Sequence, residues 1–272
     1  GLHSSTVHRL LKYMPQENTF KYNSANPLPA SVVIVDEVSM LGLVLTNHLL
    51  NAIPEDIKAL IFVGDVDQLP SVDAGNVLSD MLKGNVPAVI LNEIYRQGDG
   101  SVALTRAMEF KDRKGLNTTD SKDFKFYEES NIQKIQKDVV DLFMEDIETY
   151  GLENVIVLTP QNKGEIGVNK LNELIQEAFN PKVFDKTPEI KSGNRRFRIG
   201  DRVLHTVNED DRGVYNGYVG TITGIIEGDK NFDTVDTIIV QYDDIEEEYT
   251  RERFDNIKLA YALTVHKSQG SE

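Results

Sequence analysis

Asp36 and Glu37 directly follow Val32-Val33-Ile34-Val35, four consecutive β-branched apolar residues. Such a run reads as a strand buried on both faces, as in the middle of a parallel sheet. Open α/β sheets bind ligands just beyond the carboxyl ends of their strands, so both carboxylates would reach into that crevice. An apolar strand closing on Asp-Glu has the form of a Walker B element. There the Asp holds magnesium on nucleotide phosphates, and the Glu polarises an attacking water. An acidic helix N-terminus, favoured by the helix dipole, gives the same two letters, and the pair alone does not choose. A second apolar run, Ala59 to Val63, ends in Gly64-Asp65-Val66-Asp67-Gln68-Leu69-Pro70. Were the two strands neighbours, Asp65 and Gln68 would stand beside Asp36 and Glu37, with the Gln68 amide near a terminal phosphate. A Gly-Asp turn capped by its own side chains is the plainer alternative.

The surrounding elements suit such a frame. Ser5 or Thr6 can cap a helix whose apolar stripe is Val7, Leu10 and Leu11. Residues 13–30, rich in Tyr, Asn and Pro, read as a small hairpin excursion. Ser39 to Ile53 is expected as a helix with Leu43, Leu45, Leu49 and Leu50 inward, Val77 to Leu82 as a short helix, and Ala88 to Leu91 as a third strand. Strands alternating with helices indicate a parallel sheet with right-handed crossovers. A helix at Val102 to Phe110 and a polar stretch, Lys111 to Asp123, lead to a long amphipathic helix, Ile132 to Tyr150. Val155 to Leu158, ending in Thr159-Pro160, and a helix over Ile166 to Phe179 begin a second α/β lobe. From Phe197 the texture changes to short strands separated by Gly, Asn and Asp turns, which suggests an inserted all-β barrel. Leu259 to Thr264 returns to α/β character.

Bulk composition sets limits. With 272 residues, 40% apolar and 27% charged, the chain can bury a sizeable core in two modest domains. Without cysteine it has neither a disulfide framework nor a thiolate metal site. No apolar run has membrane-spanning length and no signal peptide is evident, so a soluble, cytoplasmic protein without a membrane partner is expected. The net charge of −15 argues against a uniformly basic nucleic-acid binder. A local groove of a few cations and aromatics would still suffice for a single strand.

Four segments occur in order: Asp36-Glu37-Val38-Ser39-Met40, Gly64 to Val72, Tyr95-Arg96-Gln97, and Leu263-Thr264-Val265-His266-Lys267-Ser268-Gln269-Gly270-Ser271-Glu272. Together they resemble motifs II, III, IV and V of superfamily 1 helicases, in the RecD-like branch (RecD, TraA and Dda-type enzymes). The resemblance covers nearly the whole chain. It implies two RecA-like P-loop NTPase lobes with an inserted SH3-like barrel: a first lobe over 1–96 with a strand-separating pin at about 13–30, a second over 97–196, the barrel over 197–256, and a return to the second lobe over 257–272. It implies ATP and Mg2+ as cofactors and single-stranded DNA as partner, with further helicase or nuclease subunits as in exodeoxyribonuclease V. Movement would be 5′ to 3′.

Residue roles follow from the same resemblance. Asp36 would hold Mg2+ through water, Glu37 would act as base, Gln68 would sense the γ-phosphate, and Arg96 would reach it from the cleft mouth. Asp65, Gly270 and Glu272 would approach the nucleotide. Thr6, His8, Thr159, Pro160, Asn216, Thr264, His266 and Lys267 would line the strand's path. His8 could equally be a packed core histidine, and Phe20 and Tyr22 could simply pack the hairpin. No Gly-x-x-x-x-Gly-Lys-Ser/Thr loop occurs, and the family's final arginine motif is not in the sequence. The simplest expectation is a stretch of a longer helicase that does not hydrolyse ATP by itself. A non-catalytic DNA-binding module and a protein-interaction module working through the acidic barrel are the alternatives.

Overall fold

A computed structural model describes residues 4–91, 100–183, 188–209, 211–228 and 235–269. The chain divides into two compact units, residues 1–126 and 127–272.

In the first unit, Thr6 caps α1 (Val7–Leu10), its hydroxyl accepting from the Arg9 amide. The hairpin follows as β1 (Tyr13–Met14) and β2 (Thr19–Phe20), antiparallel with Tyr13 opposite Phe20. Next come β3 (Val32–Val35), α2 (Leu43–Asn51), β4 (Ala59–Phe62), α3 (Val77–Lys83) and α4 (Val102–Lys111). β3 and β4 pair in parallel, Val35 opposite Phe62. The core gathers Leu11, Phe20, Leu28, Val33, Val35, Val38 and Leu49.

Three expectations for this unit are corrected. β3 is not buried on both faces: Val33 and Val35 are, whereas Val32 and Ile34 are 49% and 55% exposed. Among the described residues the sheet has two strands and is covered on one side. α2 starts only after a 3-10 turn at Val38–Met40 and rests on the core through Thr46 and Leu49, leaving Leu43 and Leu50 outward. Ala88 to Leu91 forms no strand, and Val89 and Leu91 are exposed. An apolar run becomes a strand only where a ladder partner exists, and none pairs with it among the described residues.

The unit boundary lies at Phe126, about 30 residues beyond the expected 96/97 junction. Two contacts account for it. Asp123 accepts from the Ser101 hydroxyl at 2.9 Å and from the Val102 and Ala103 amides, folding the polar stretch back over the start of α4. Lys111 pairs with Asp67 at 2.5 Å, tying the end of α4 to the segment after β4.

The second unit opens with α5 (Ile132–Tyr150), whose Phe143 and Ile147 pack against Tyr261 and Ile175. β5 (Val157–Thr159) and α6 (Val168–Phe179) follow. A hairpin, β6 (Glu189–Ser192) and β7 (Arg195–Arg198), precedes β8 (Arg202–His205), β9 (Val219–Ile226), β10 (Thr237–Tyr242), β11 (Ile245–Thr250) and β12 (Ile257–Leu259). The last five form an antiparallel sheet in the order β11-β10-β9-β8-β12. Its core holds Phe197, Val203, Ile222, Ile238, Val240 and Tyr249, and also Ile190 from β6 and Ile257 from β12. The core of this β-rich region thus draws on strands from Glu189 to Leu259. β13 (Ala262–Thr264) then pairs in parallel with β5 and leads into α7 (Val265–Ser268). No helix among the described residues is long and apolar enough to cross a membrane.

Candidate functional site

The first group of side chains stands at the carboxyl ends of β3 and β4. Their pairing continues past the strands: the Val63 amide donates to the Val35 carbonyl at 2.8 Å and the Val38 amide to the Val63 carbonyl at 3.0 Å. Asp36-Glu37 and Gly64-Asp65 are therefore side by side, the adjacency on which their joint chemistry depends. Glu37 has φ 52° and ψ 44°, a left-handed conformation that costs a non-glycine residue about 1 kcal/mol. The Glu37 amide donates to Asp36 Oδ1 at 2.9 Å, which anchors the Asp36 carboxylate to the loop backbone. Both are exposed. Asp65 folds its loop in the same way, its Oδ1 accepting from the Asp67 amide at 2.9 Å, and Gln68 lies exposed one turn on. The buried Ser39 hydroxyl, two residues beyond Glu37, has no hydrogen-bond partner among the described residues.

No cluster of three His, Cys, Asp or Glu side chains among the described residues could hold a metal by protein ligands alone. The exposed Asp36 and Glu37 carboxylates fit a different kind of site. Mg2+ takes hard oxygen ligands, retains several waters, and is held by one or two carboxylates together with substrate phosphates. Arg96, Gly270 and Glu272 lie outside the described residues.

The second group belongs to the other unit. β13 and β5 run in register with Thr264 opposite Thr159. Both threonines are buried and their hydroxyls are engaged: Thr159 donates to the Ile166 carbonyl at 2.8 Å, and Thr264 caps α7 by accepting from the Lys267 amide at 3.3 Å. His266 and Lys267 are exposed on that first turn, and Pro160 is exposed at the end of β5.

Thr264 and Lys267 line a cavity of about 1100 Å³ whose rim is strongly basic. Lys163 and Lys170 enter it from around the start of α6, Lys191, Arg195 and Arg196 from the β6–β7 hairpin, and Lys258 from β12. Two acids line it, and both are engaged: Glu173 with Lys170, and Asp255 with Arg195. Lys163, Lys191, Lys258 and Lys267 make no ion pair among the described residues. Partial burial, with Lys258 nearby, holds the Lys267 ammonium below its usual range. An anion in the cavity would favour the charged ammonium and so oppose both effects. A chain of net charge −15 thus concentrates unpaired cations in one concave place. Sequence reading picked out Lys267 and missed Lys163, Lys191 and Lys258. The available signal was the basic run from Lys191 to Arg198 in an otherwise acidic chain.

The remaining predicted strand contacts are dispersed. Asn216 is exposed in the β8–β9 loop, where its amide donates to Asn208 Oδ1 at 3.0 Å, and it does not line the cavity. Thr6 and His8 belong to the first unit. His8 is exposed and is not a core histidine; its ring stands 5.7 Å from those of Tyr13 and Phe20. Phe20 is buried and also meets His48 at 4.8 Å, so it packs the hairpin.

Comparison with known proteins gives the chain a family context. Residues 1–132 match the family model described as an AAA domain, and residues 171–242 match the SH3 domain of ATP-dependent RecD-like DNA helicases. Over its whole length the chain is 34% identical to the ATP-dependent RecD2 DNA helicase of Deinococcus radiodurans, covering 35% of that protein. It is 28% identical to the RecBCD enzyme subunit RecD of Mycolicibacterium smegmatis, covering 49% of it. The chain thus spans about a third to a half of the length of these relatives. Its fold resembles that of Bacteroides Pif1 bound to single-stranded DNA, with a TM-score of 0.54 at 18% identity, covering 97% of this chain and 70% of that one.

Proposed function

Because the chain belongs to the RecD-like branch of superfamily 1 helicases, we propose that its protein is an ATP-dependent DNA helicase that moves 5′ to 3′ on single-stranded DNA. The observation that carries the reading is the parallel β3–β4 pair, which sets Asp36-Glu37 beside Gly64 to Gln68 at the carboxyl ends of two strands. Asp36 would hold Mg2+ through water, and the ion would offset phosphate charge when bound. Glu37 takes a proton from the attacking water, and Gln68 answers to the terminal phosphate. Arg96, Asp65, Gly270 and Glu272 complete the nucleotide contacts. In the second unit, Lys267, with Lys163, Lys191 and Lys258, holds the phosphates of the strand. Thr159, Pro160, Thr264 and His266 shape its path, and Thr6, His8 and Asn216 add contacts elsewhere. DNA-processing subunits of a nuclease complex are the proposed protein partners.

The test is DNA-stimulated ATP hydrolysis by the full-length gene product carrying Glu37→Gln. Loss of a positioned general base lowers turnover by about 10²- to 10⁴-fold. Nucleotide binding should persist. Undiminished hydrolysis in the variant would remove Glu37 from the role, and hydrolysis indifferent to DNA would remove the helicase reading.

A further inference from the structure

Helix α6 carries polar side chains where its packing face calls for apolar ones. Leu171 and Ile175 are buried as expected, but Asn172 and Gln176, one turn apart, are buried as deeply, at 5% and 2% exposure. Asn180, the C-cap, continues the same spacing. A buried amide is tolerated only when its hydrogen-bonding capacity is met, and here it is.

Asn172 Oδ1 accepts from the amides of Tyr261 at 2.9 Å and Ala262 at 3.0 Å, and its Nδ2 donates to the carbonyls of Ala262 at 2.8 Å and Val168 at 3.0 Å. The N–H and C=O of Ala262 thus both meet one side chain, as they would meet a neighbouring strand. One turn on, Gln176 Nε2 donates to the Arg196 carbonyl at 3.0 Å and to Asp201 Oδ2 at 2.5 Å. Asn180 Nδ2 donates to the Ile199 carbonyl at 3.0 Å and to Asp201 Oδ1 at 2.8 Å. One helix face therefore fastens both walls of the basic cavity. Its first turns hold β13, which runs into Thr264 and Lys267, and its last turns hold β7, which carries Arg196.

We propose that Asn172 is a positioning residue for single-strand binding: it fixes the edge of β13 and through it the place of Lys267 opposite the β6–β7 hairpin. This role rests on the cavity being the strand path. Asn172 borders the same cavity, but both ends of its amide are taken up by backbone groups. Its effect should pass through Lys267, which separates positioning from a general structural contribution.

Two measurements on the 272-residue chain test it. The first is amide hydrogen exchange without DNA. Asn172→Leu should speed exchange across Ala262 to Lys267 by about 10-fold or more while leaving β9 to β11 unchanged. The second is a double-mutant cycle on oligo-dT affinity by fluorescence anisotropy. Asn172→Leu should weaken binding about 3- to 10-fold in the unsubstituted background and less than about 2-fold in Lys267→Ala. Asn172→Ala, which removes the same bonds without adding bulk or charge, serves the same cycle should the leucine variant not fold. Equal weakening in the two backgrounds, or unchanged exchange over 262–267, would overturn the role. Absence of oligo-dT binding by the unsubstituted chain would instead remove the strand path and this role with it, whatever the exchange shows.

Discussion

Gly64 lies so close to Val38 that a β-carbon at position 64 would stand 3.1 Å from the Val38 backbone nitrogen. The same carbon would be 3.3 Å from the Ser39 nitrogen and 3.0 Å from Leu78 Cδ2. Backbone amides held by a strand pair have little room to yield, so glycine is what lets the two strand ends approach. Gly64→Ala should destabilise the first unit by about 1–3 kcal/mol, in the range of overpacked cores. Thermal unfolding checks the magnitude. An unchanged melting temperature would mean that the Asp36-Glu37 loop has slack.

The barrel is closed by a charge network as well as by its core. Glu247, buried, accepts from Arg253 at 2.6 Å and from Arg212 at 2.8 Å, while Arg253 also reaches Glu209 at 2.6 Å. Removing one member of a buried ion pair costs about 3–5 kcal/mol. Because Arg212 is 43% exposed and can return to water, Glu247→Ala should cost about 2–4 kcal/mol. Denaturant unfolding of the variant measures this directly, and a loss below about 1 kcal/mol would show that Arg253 is satisfied by Glu209 alone.

His205 gives the barrel a predictable response to acid. Its ring is buried, Nδ1 lies 2.8 Å from the Tyr249 hydroxyl, which in turn meets the Tyr242 hydroxyl, and Nε2 is 3.4 Å from Glu209 Oε2. Burial, reinforced by the Arg253 charge, pushes the imidazole below its ordinary range, while Glu209 and Glu247 pull the other way. The neutral ring belongs to the fold, and the unfolded chain binds the extra proton. This contribution is therefore intact above about pH 6.5, the unfolded value, and is lost as pH falls through the lower folded value. Stability followed from pH 7.5 downward should decline in the parent and flatten in His205→Gln. Parallel declines would assign the acid response to other groups.

Much of this arrangement was legible in the residues. The apolar runs before Asp36 and Gly64 announced two strands, and their tails stand together as expected. The α5 stripe from Ile135 to Ile147 and the Gly- and Asn-punctuated barrel strands were equally clear. Burial on the second face of β3 was not legible, because a β-branched run does not say how many neighbours cover it. Val89 to Leu91 misled for the same reason. The unit boundary depended on Asp123 turning back to cap α4, a contact spanning more than 20 residues that no local pattern encodes. Nothing local in the α6 sequence marks Asn172 and Gln176 as buried, and only their partners in the fold reveal it. The basic cavity assembles lysines from four separate segments, so its charge is invisible in any one window of an acidic sequence.

The measurement closest to the central claim is the salt dependence of oligo-dT binding by the 272-residue chain. Each phosphate neutralised on a single strand contributes a slope of about −0.7 in log K against log salt. Saturable binding is expected at low salt with a slope of about −2 to −3, from the four cavity lysines that make no ion pair among the described residues, falling by about 0.7 for each of Lys191→Ala and Lys267→Ala. A slope near zero, or one unchanged by both substitutions, would contradict it and leave the cavity without the strand.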